Sequence, residues 1–274
     1  MPADLHVHTN CSDGTMSPED VVELAHKINL KTIAITDHDV VDGIEPAKER
    51  GQGVGVDVIP GIEMTTELGK IEIHILGYYL NHNNPNLIDS LNKIQKGREE
   101  RIYKICDKLK GLGISVDPAK VFIEAGHLAA GRPHVARVMV KEGLVASFKE
   151  AFDRYLDSSG PAYVSHYKLL PAEAIQLILS AGGIPVLAHP RIMESDHVIP
   201  DLVGEGLLGI EVYYPGYNAS QIERYLTLAR KLGLLVTGGS DFHGTKSGRD
   251  VDLGFVTVSD ELVDNLKNEH LRRN

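Results

Sequence analysis

The chain has 274 residues, a net charge of −10 with histidine neutral, and 42% hydrophobic residues. That length suits one large domain or a domain carrying an insertion, and the apolar share supports a sizeable core. The acidic balance excludes a basic face coating long duplex nucleic acid, no run approaches the roughly 20 apolar residues of a spanning helix, and two distant cysteines, Cys11 and Cys106, exclude a disulfide scaffold. No signal-like segment opens the chain, so a cytoplasmic protein with no membrane partner is expected.

The first predicted strand lies at the start of DLHVHTNCSDG, residues 4–14. Leu5 and Val7 alternate with His6 and His8, so a period of two sends both imidazoles to one face. Asp13 follows closely, and histidine and aspartate are both good donors to a divalent metal. The plain alternative for this dipeptide alone is a surface His-x-His. Ser17-Pro18-Glu19-Asp20 reads as a helix start, with Ser as N-cap, Pro in the first turn and acids behind it. A strand over 31–36, a helix over 44–50 and a strand over 56–62 complete a βαβ pattern with parallel pairing. Residues 67–70 are too few for a crossover, which predicts that Glu63 and His74 sit on adjacent antiparallel segments.

Residues 84–112 read as one long helix, because Leu87, Leu91, Ile94, Ile102, Ile105 and Leu109 follow a three-four spacing. Arg98 lies on that apolar stripe, either snorkelling at a helix edge or facing a cavity where it holds an anion. Helical signals continue to about residue 158 and interrupt the strand–helix alternation, so residues 95–165 read as an inserted helical module. Alternation then resumes, with helices over 171–180, 200–205 and 220–232 and strands over 184–188, 208–212 and 234–237. The fold class is therefore α/β. A distorted seven-stranded (β/α)7 barrel, formed by residues 1–94 and 166–274, fits best, and an open doubly wound sheet is the alternative.

Metal donors recur where apolar runs end: His38 in TIAITDHD, Glu63 in VDVIPGIE, His74 in IEIHILGY, His189 in GIPVLAHP, and Asp241 with His243 in LLVTGGSDFH. Strand ends converging in one fold, each with a donor, describe a multinuclear metal site. The ordered set of His-x-His, TDHD, a glutamate after the third strand, AHP and SDFH resembles the PHP (polymerase and histidinol phosphatase) superfamily. The resemblance implies a distorted seven-stranded barrel holding three divalent metal ions, with Mn2+ favoured and Fe2+ or Zn2+ as alternatives. It implies one ion on His6, His8, Glu63 and Asp241, a second sharing Glu63 and adding His74 and His189, and a third on Asp13, His38 and His243. Some relatives place a histidine where Asp13 stands, and the carboxylate favours a harder metal.

Such a cluster suits a phosphoryl substrate attacked by a metal-bound hydroxide. No Walker-type phosphate loop and no Gly-x-Ser-x-Gly elbow is present, so metal-assisted phosphoester hydrolysis is the expected chemistry. Gly131-Arg132-Pro133-His134 opens a helix, where free N–H groups and a guanidinium form an anion site; an ordinary proline-started helix is the alternative. Arg132, His134, Arg191, Arg98 and Lys168 are the candidate substrate contacts, and His197 is a candidate proton donor. Tyr163 and His166 flank the return of the module to the barrel and read as structural, while His26, His82, His127 and His270 read as surface residues. The insert with its GRPH resembles one branch of the superfamily, which removes the 3′-phosphate of 3′,5′-bisphosphonucleotides such as pAp or degrades short RNA from its 5′ end. That resemblance implies that the insert, residues 95–165, covers the metal site and the substrate, with a small phosphorylated nucleotide or short oligonucleotide as the partner. Histidinol phosphate hydrolysis, a non-catalytic polymerase-associated module and C–N bond hydrolysis are the rival readings.

Overall fold

A computed structural model describes residues 2–69, 71–126, 130–165, 168–193, 195–245, 247 and 251–273. His127 and His166 therefore lie outside the described residues. Seven strands, β1 (Ala3–Val7), β2 (Thr32–Ile35), β3 (Asp57–Leu68), β4 (Ile71–Tyr78), β5 (Ile184–Leu187), β6 (Gly209–Tyr213) and β7 (Leu235–Gly238), pair in chain order. Val7 bridges Phe242 just after β7, which draws the two ends of the sheet together into a nearly closed barrel. The open-sheet alternative is thereby set aside.

Helices surround these strands: α1 (Pro18–Lys27), α2 (Ile44–Val54), α3 (Pro85–Gly111), α4 (Pro118–Glu124), α5 (Arg132–Lys141) and α6 (Phe148–Ala151), the last running into a π-helix at Phe152–Leu156. After them come α7 (Pro171–Ser180), α8 (Pro190–Met193), a 3₁₀ turn at Asp196–Val198, α9 (Ile199–Gly204), α10 (Ala219–Leu232) and α11 (Asp260–Arg273). The expected cap of α1 forms, since the Ser17 hydroxyl accepts the Asp20 N–H at 3.1 Å. None of the described helices is long and apolar enough to cross a membrane.

One strand runs against the rest. β4 is antiparallel to both β3 and β5, while the other pairs are parallel. β3 also continues to Leu68 rather than stopping at Ile62, because the short connection makes β3 and β4 a hairpin paired down to Leu68–Ile71. The reversal has a functional consequence. It brings the beginning of β4, with His74, to the rim where the other strands end.

Helix α3 joins two cores. Its first half packs Leu87, Leu91 and Ile94 against Ile62, Met64, Ile73 and Ile75 of the barrel. Its second half buries Ile102, Ile105, Cys106 and Leu109 with Val121, Val135, Ala136 and Met139 of α4 and α5. The helical segment thus has an apolar core of its own, carried on the barrel by one continuous helix.

Close backbone approach at the rim demands glycine at position 239. A Cβ there would come within 2.4 Å of the His6 nitrogen and 2.5 Å of its Cβ. Gly239→Ala should cost about 1–3 kcal/mol through overpacking, read as a lower urea midpoint with an unchanged slope. An unchanged midpoint would show that this approach has slack.

Candidate metal centre and anion pocket

The alternating pattern of β1 delivers its promise at the rim. His6 Nε2 and His8 Nε2 lie 3.1 Å apart, and both side chains are buried. β3 contributes Glu63 and β4 His74, the loops after β2 and β5 contribute His38 and His189, and the segment after β7 contributes Asp241 and His243. Two of these residues sit in strained backbone, with φ of 25° at His189 and 52° at Asp241. Such left-handed conformations in non-glycine residues persist only where the surroundings over-determine them. The His189 N–H donates to Glu211 at 2.8 Å, and the Tyr214 hydroxyl donates to Asp241 Oδ2 at 2.8 Å.

The donor atoms are spaced as a ligand shell. His6 Nε2, His8 Nε2, Glu63 Oε2 and Asp241 Oδ1 lie 3.1–3.4 Å apart along five edges of a tetrahedron. Atoms each about 2.0–2.1 Å from one ion would be separated by about 3.3–3.4 Å in a tetrahedral site. Glu63 Oε2 is buried with three imidazole nitrogens at 3.2 Å, yet none is aligned as a hydrogen bond among the described residues. The other Glu63 oxygen faces His74 Nδ1 and His189 Nε2, both at 2.9 Å. Beyond them, Asp13 Oδ1 lies 3.1 Å from His243 Nε2. His8, Asp13, His38 and His243 form a further group able to hold a cation, and His38 also groups with Glu63 and His74. The structure brings all nine donor residues together, and they fit divalent ions.

Buried charges set the electrostatics of this cluster. Burial pulls the His8 imidazole down, but Asp241 and Glu63 outweigh it and push it up to about 9. His74 is raised to about 10 against the same burial, by Glu63 and then Glu72. Burial would raise the Glu63 carboxyl, yet the surrounding imidazoles hold it well below the ordinary range. Glu211 stabilises the arrangement from outside, accepting the His6 Nδ1 proton at 3.0 Å and leaving Nε2 for the cluster. Cys11 takes no part as a thiolate, because burial pushes its thiol up to about 12.

Beside the donors lies a cavity of about 240 Å³, lined by Asp13, His38, His74 and His243 and by Arg98, Arg101, Arg132 and Arg137. Arg98 faces this cavity, but it is also paired with buried Asp39. Arg132 donates to the Leu156 carbonyl at 3.2 Å, within the π-helix, and lies over the Phe152 and Tyr163 rings. Arg101 is 4% exposed, donates through Nε to Val164 O, and its Nη2 has no hydrogen-bond partner among the described residues. Burial, then Arg132 and Arg98, lower its guanidinium to about 10. Lys168 is held by Glu67 and Glu72. Arg191 is exposed, reaching the Gly216 carbonyl at 3.5 Å, and His197 is exposed on the 3₁₀ turn, outside this cavity. His134 is buried and accepts the Gly131 N–H through Nδ1 at 3.1 Å, capping its own helix.

Sequence reasoning passed over Arg101, Glu72 and Glu211. Each had a signal: Arg101 stands three residues beyond Arg98 on one helix face, Glu72 two before His74 on one strand face, and Glu211 inside the apolar run of β6. The sequence pattern of the PHP domain matches residues 4–167. This chain belongs to the PHP domain family. It is 31% identical to the 3′,5′-nucleoside bisphosphate phosphatase of Chromobacterium violaceum, over 90% of both chains. It is 32% identical to the phosphoribosyl 1,2-cyclic phosphate 1,2-diphosphodiesterase of Eggerthella lenta, over 93% of this chain and 98% of that one. Identity is also 32% to the 5′-3′ exoribonuclease of Haemophilus influenzae, over 91% and 94%. A solved structure from Bifidobacterium adolescentis, described as a metal-dependent phosphoesterase, superposes with a TM-score of 0.90 at 30% identity, covering 99% of this chain and 96% of that chain. The PHP chain described here is a metal-dependent phosphoesterase, a hydrolase acting on phosphoester bonds.

Burial pushes the His134 imidazole down to about 4. Its folded value thus lies below its unfolded one, so between these values the unfolded state alone takes up a proton, and stability is lost as pH falls from about 6.5 to about 4. Comparing unfolding free energies at neutral pH and near the lower value, wild type should lose about 2–3 kcal/mol more than His134→Asn. Parallel curves for the two proteins would contradict a neutral buried imidazole.

Proposed function

We propose that this enzyme removes the 3′-phosphate of 3′,5′-bisphosphonucleotides such as pAp, releasing AMP. The observation that carries the reading is one cavity lined both by metal donors and by four arginines. Three divalent ions, Mn2+ in the first instance, would be held by His6, His8, Glu63 and Asp241; by Glu63, His74 and His189; and by Asp13, His38 and His243. Bound there, such ions acidify water and polarise phosphoryl oxygens. The protein's own task is to place two anionic groups at once. Arg132 and Arg101 would hold the phosphate that does not react, leaving the scissile one over the donors. Arg98 serves by pairing with Asp39, which keeps its charge at the cavity wall without saturating it. The net charge of −10 favours a small cytoplasmic nucleotide over long duplex.

A second cavity of about 470 Å³ favours a further reading, 5′-3′ trimming of short RNA. It shares His38, Glu72 and His74 with the first and is walled by Ile192, Tyr214 and Pro215, which gives room for a chain beyond the reacting phosphate.

Phosphate release by Mn2+-reconstituted protein should be much faster from pAp than from histidinol phosphate, and His8→Ala or Asp241→Asn should abolish it. A preference for histidinol phosphate would overturn the nucleotide reading. Arg132→Ala should raise KM for pAp by about 10–100-fold, the worth of a lost charged hydrogen bond, with little change for p-nitrophenyl phosphate. Equal effects on both substrates would remove Arg132 from the distal phosphate.

A further inference from the structure

Besides Asp13 of the donor cluster, one further carboxylate lines the anion pocket among its arginines, that of Glu72. It lines the arginine-walled cavity, the second cavity and a smaller one behind His189, so it occupies the seam between the anion pocket and the donor cluster. It precedes His74 by two residues on β4, and the strand period puts both on one face. Glu72 Oε1 lies 3.4 Å from His74 Nε2, while His74 Nδ1 faces Glu63 at 2.9 Å. The same Glu72 oxygen lies 3.9 Å from Arg132 Nη2.

The other Glu72 oxygen is anchored. Glu72 is paired in register with Glu67 of β3, two carboxylates directly across a hairpin that would repel each other. Lys168 resolves the conflict: its side chain is 3% exposed and its ammonium pairs with both, 3.0 Å from Glu67 and in contact with Glu72. A glutamate that is itself 37% exposed is thereby pinned at one oxygen and left with the second directed at His74.

We propose that Glu72 is a positioning residue that fixes the ring of His74 and ties the anion pocket to the metal centre, with Lys168 as its anchor. The inference rests on the reading of His74 as a metal ligand. A ligating imidazole presents one nitrogen to the metal and gives its other N–H to an acceptor that sets tautomer and ring orientation. Glu211 does this for His6 through a 3.0 Å hydrogen bond, and on the corresponding side of His74 the nearest carboxylate is Glu72, 3.4 Å from a buried Nε2 that has no aligned hydrogen bond among the described residues. Lys168 then acts through Glu72 rather than on a phosphate, since its charge is already taken by two carboxylates. Because Arg132 shares the Glu72 oxygen that faces His74, an anion drawn to Arg132 is felt at the metal centre through this one side chain.

Mn2+ titration of the full chain by electron paramagnetic resonance, with chelator competition, tests this without any substrate. Glu72→Ala should weaken one class of Mn2+ site by about 10–100-fold and leave the remainder at wild-type affinity. Glu72→Gln, which keeps an acceptor oxygen for the His74 N–H, should lose less, and Lys168→Met, which touches no donor, should fall between them. Wild-type affinity for every ion in Glu72→Ala overturns the inference alone. So does an equal loss in Glu67→Gln, which leaves Glu72 in place and would trace the effect to strand pairing. A wild-type chain that binds no Mn2+ overturns the metal reading, and this inference with it.

Discussion

The fully buried carboxylate of Glu63 is the constraint that orders this molecule. One of its oxygens has imidazole nitrogens of His6, His8 and His38 at 3.2 Å, and the other has those of His74 and His189 at 2.9 Å. A buried anion is expensive unless it is paired, and five imidazoles around one carboxylate are themselves tolerable only where positive charge is wanted. Glu63 is thus where strands from distant parts of the sequence must meet. It also has the geometry to be shared between two cations.

Much of the fold can be understood as meeting that demand. Six strands present their carboxyl ends to the rim, the usual place for a site in such a barrel. β4 enters reversed, and only a reversed strand offers its beginning there, which lets β3 and β4 supply Glu63 and His74 from a single hairpin. Strain is accepted at His189 and Asp241, whose left-handed backbones are fixed by hydrogen bonds from His189 to Glu211 and from Tyr214 to Asp241. The helical segment adds arginines from α3 and α5 to the lining of the cavity beside the donors, carried by a helix rooted in the barrel core.

The barrel and its rim were legible in the sequence because strand periodicity and donor identity coincide there. His-x-His on an apolar strand, and a four-residue link too short for a crossover, have few structural solutions. The anion pocket was only partly legible. Arg98, Arg132 and Lys168 stand out as cations near the site, but whether a cation is free depends on partners far away in sequence. Asp39 takes Arg98, Glu67 and Glu72 take Lys168, and His134 turns inward to cap its own helix. Arg101 was hidden by the same logic, since its significance lies in a burial that no local pattern announces. Long-range pairing decides the fate of a charge, and periodicity does not encode it.

Under the proposed function, the Glu63 carboxylate joins two metal positions within a three-ion centre. Native mass spectrometry of Mn2+-loaded protein, comparing wild type with Glu63→Gln, tests it most directly. Three ions are expected on the wild-type chain and the loss of two together in the variant, with the Asp13, His38 and His243 position still filled. Loss of a single ion, or full occupancy without the Glu63 carboxylate, would contradict it.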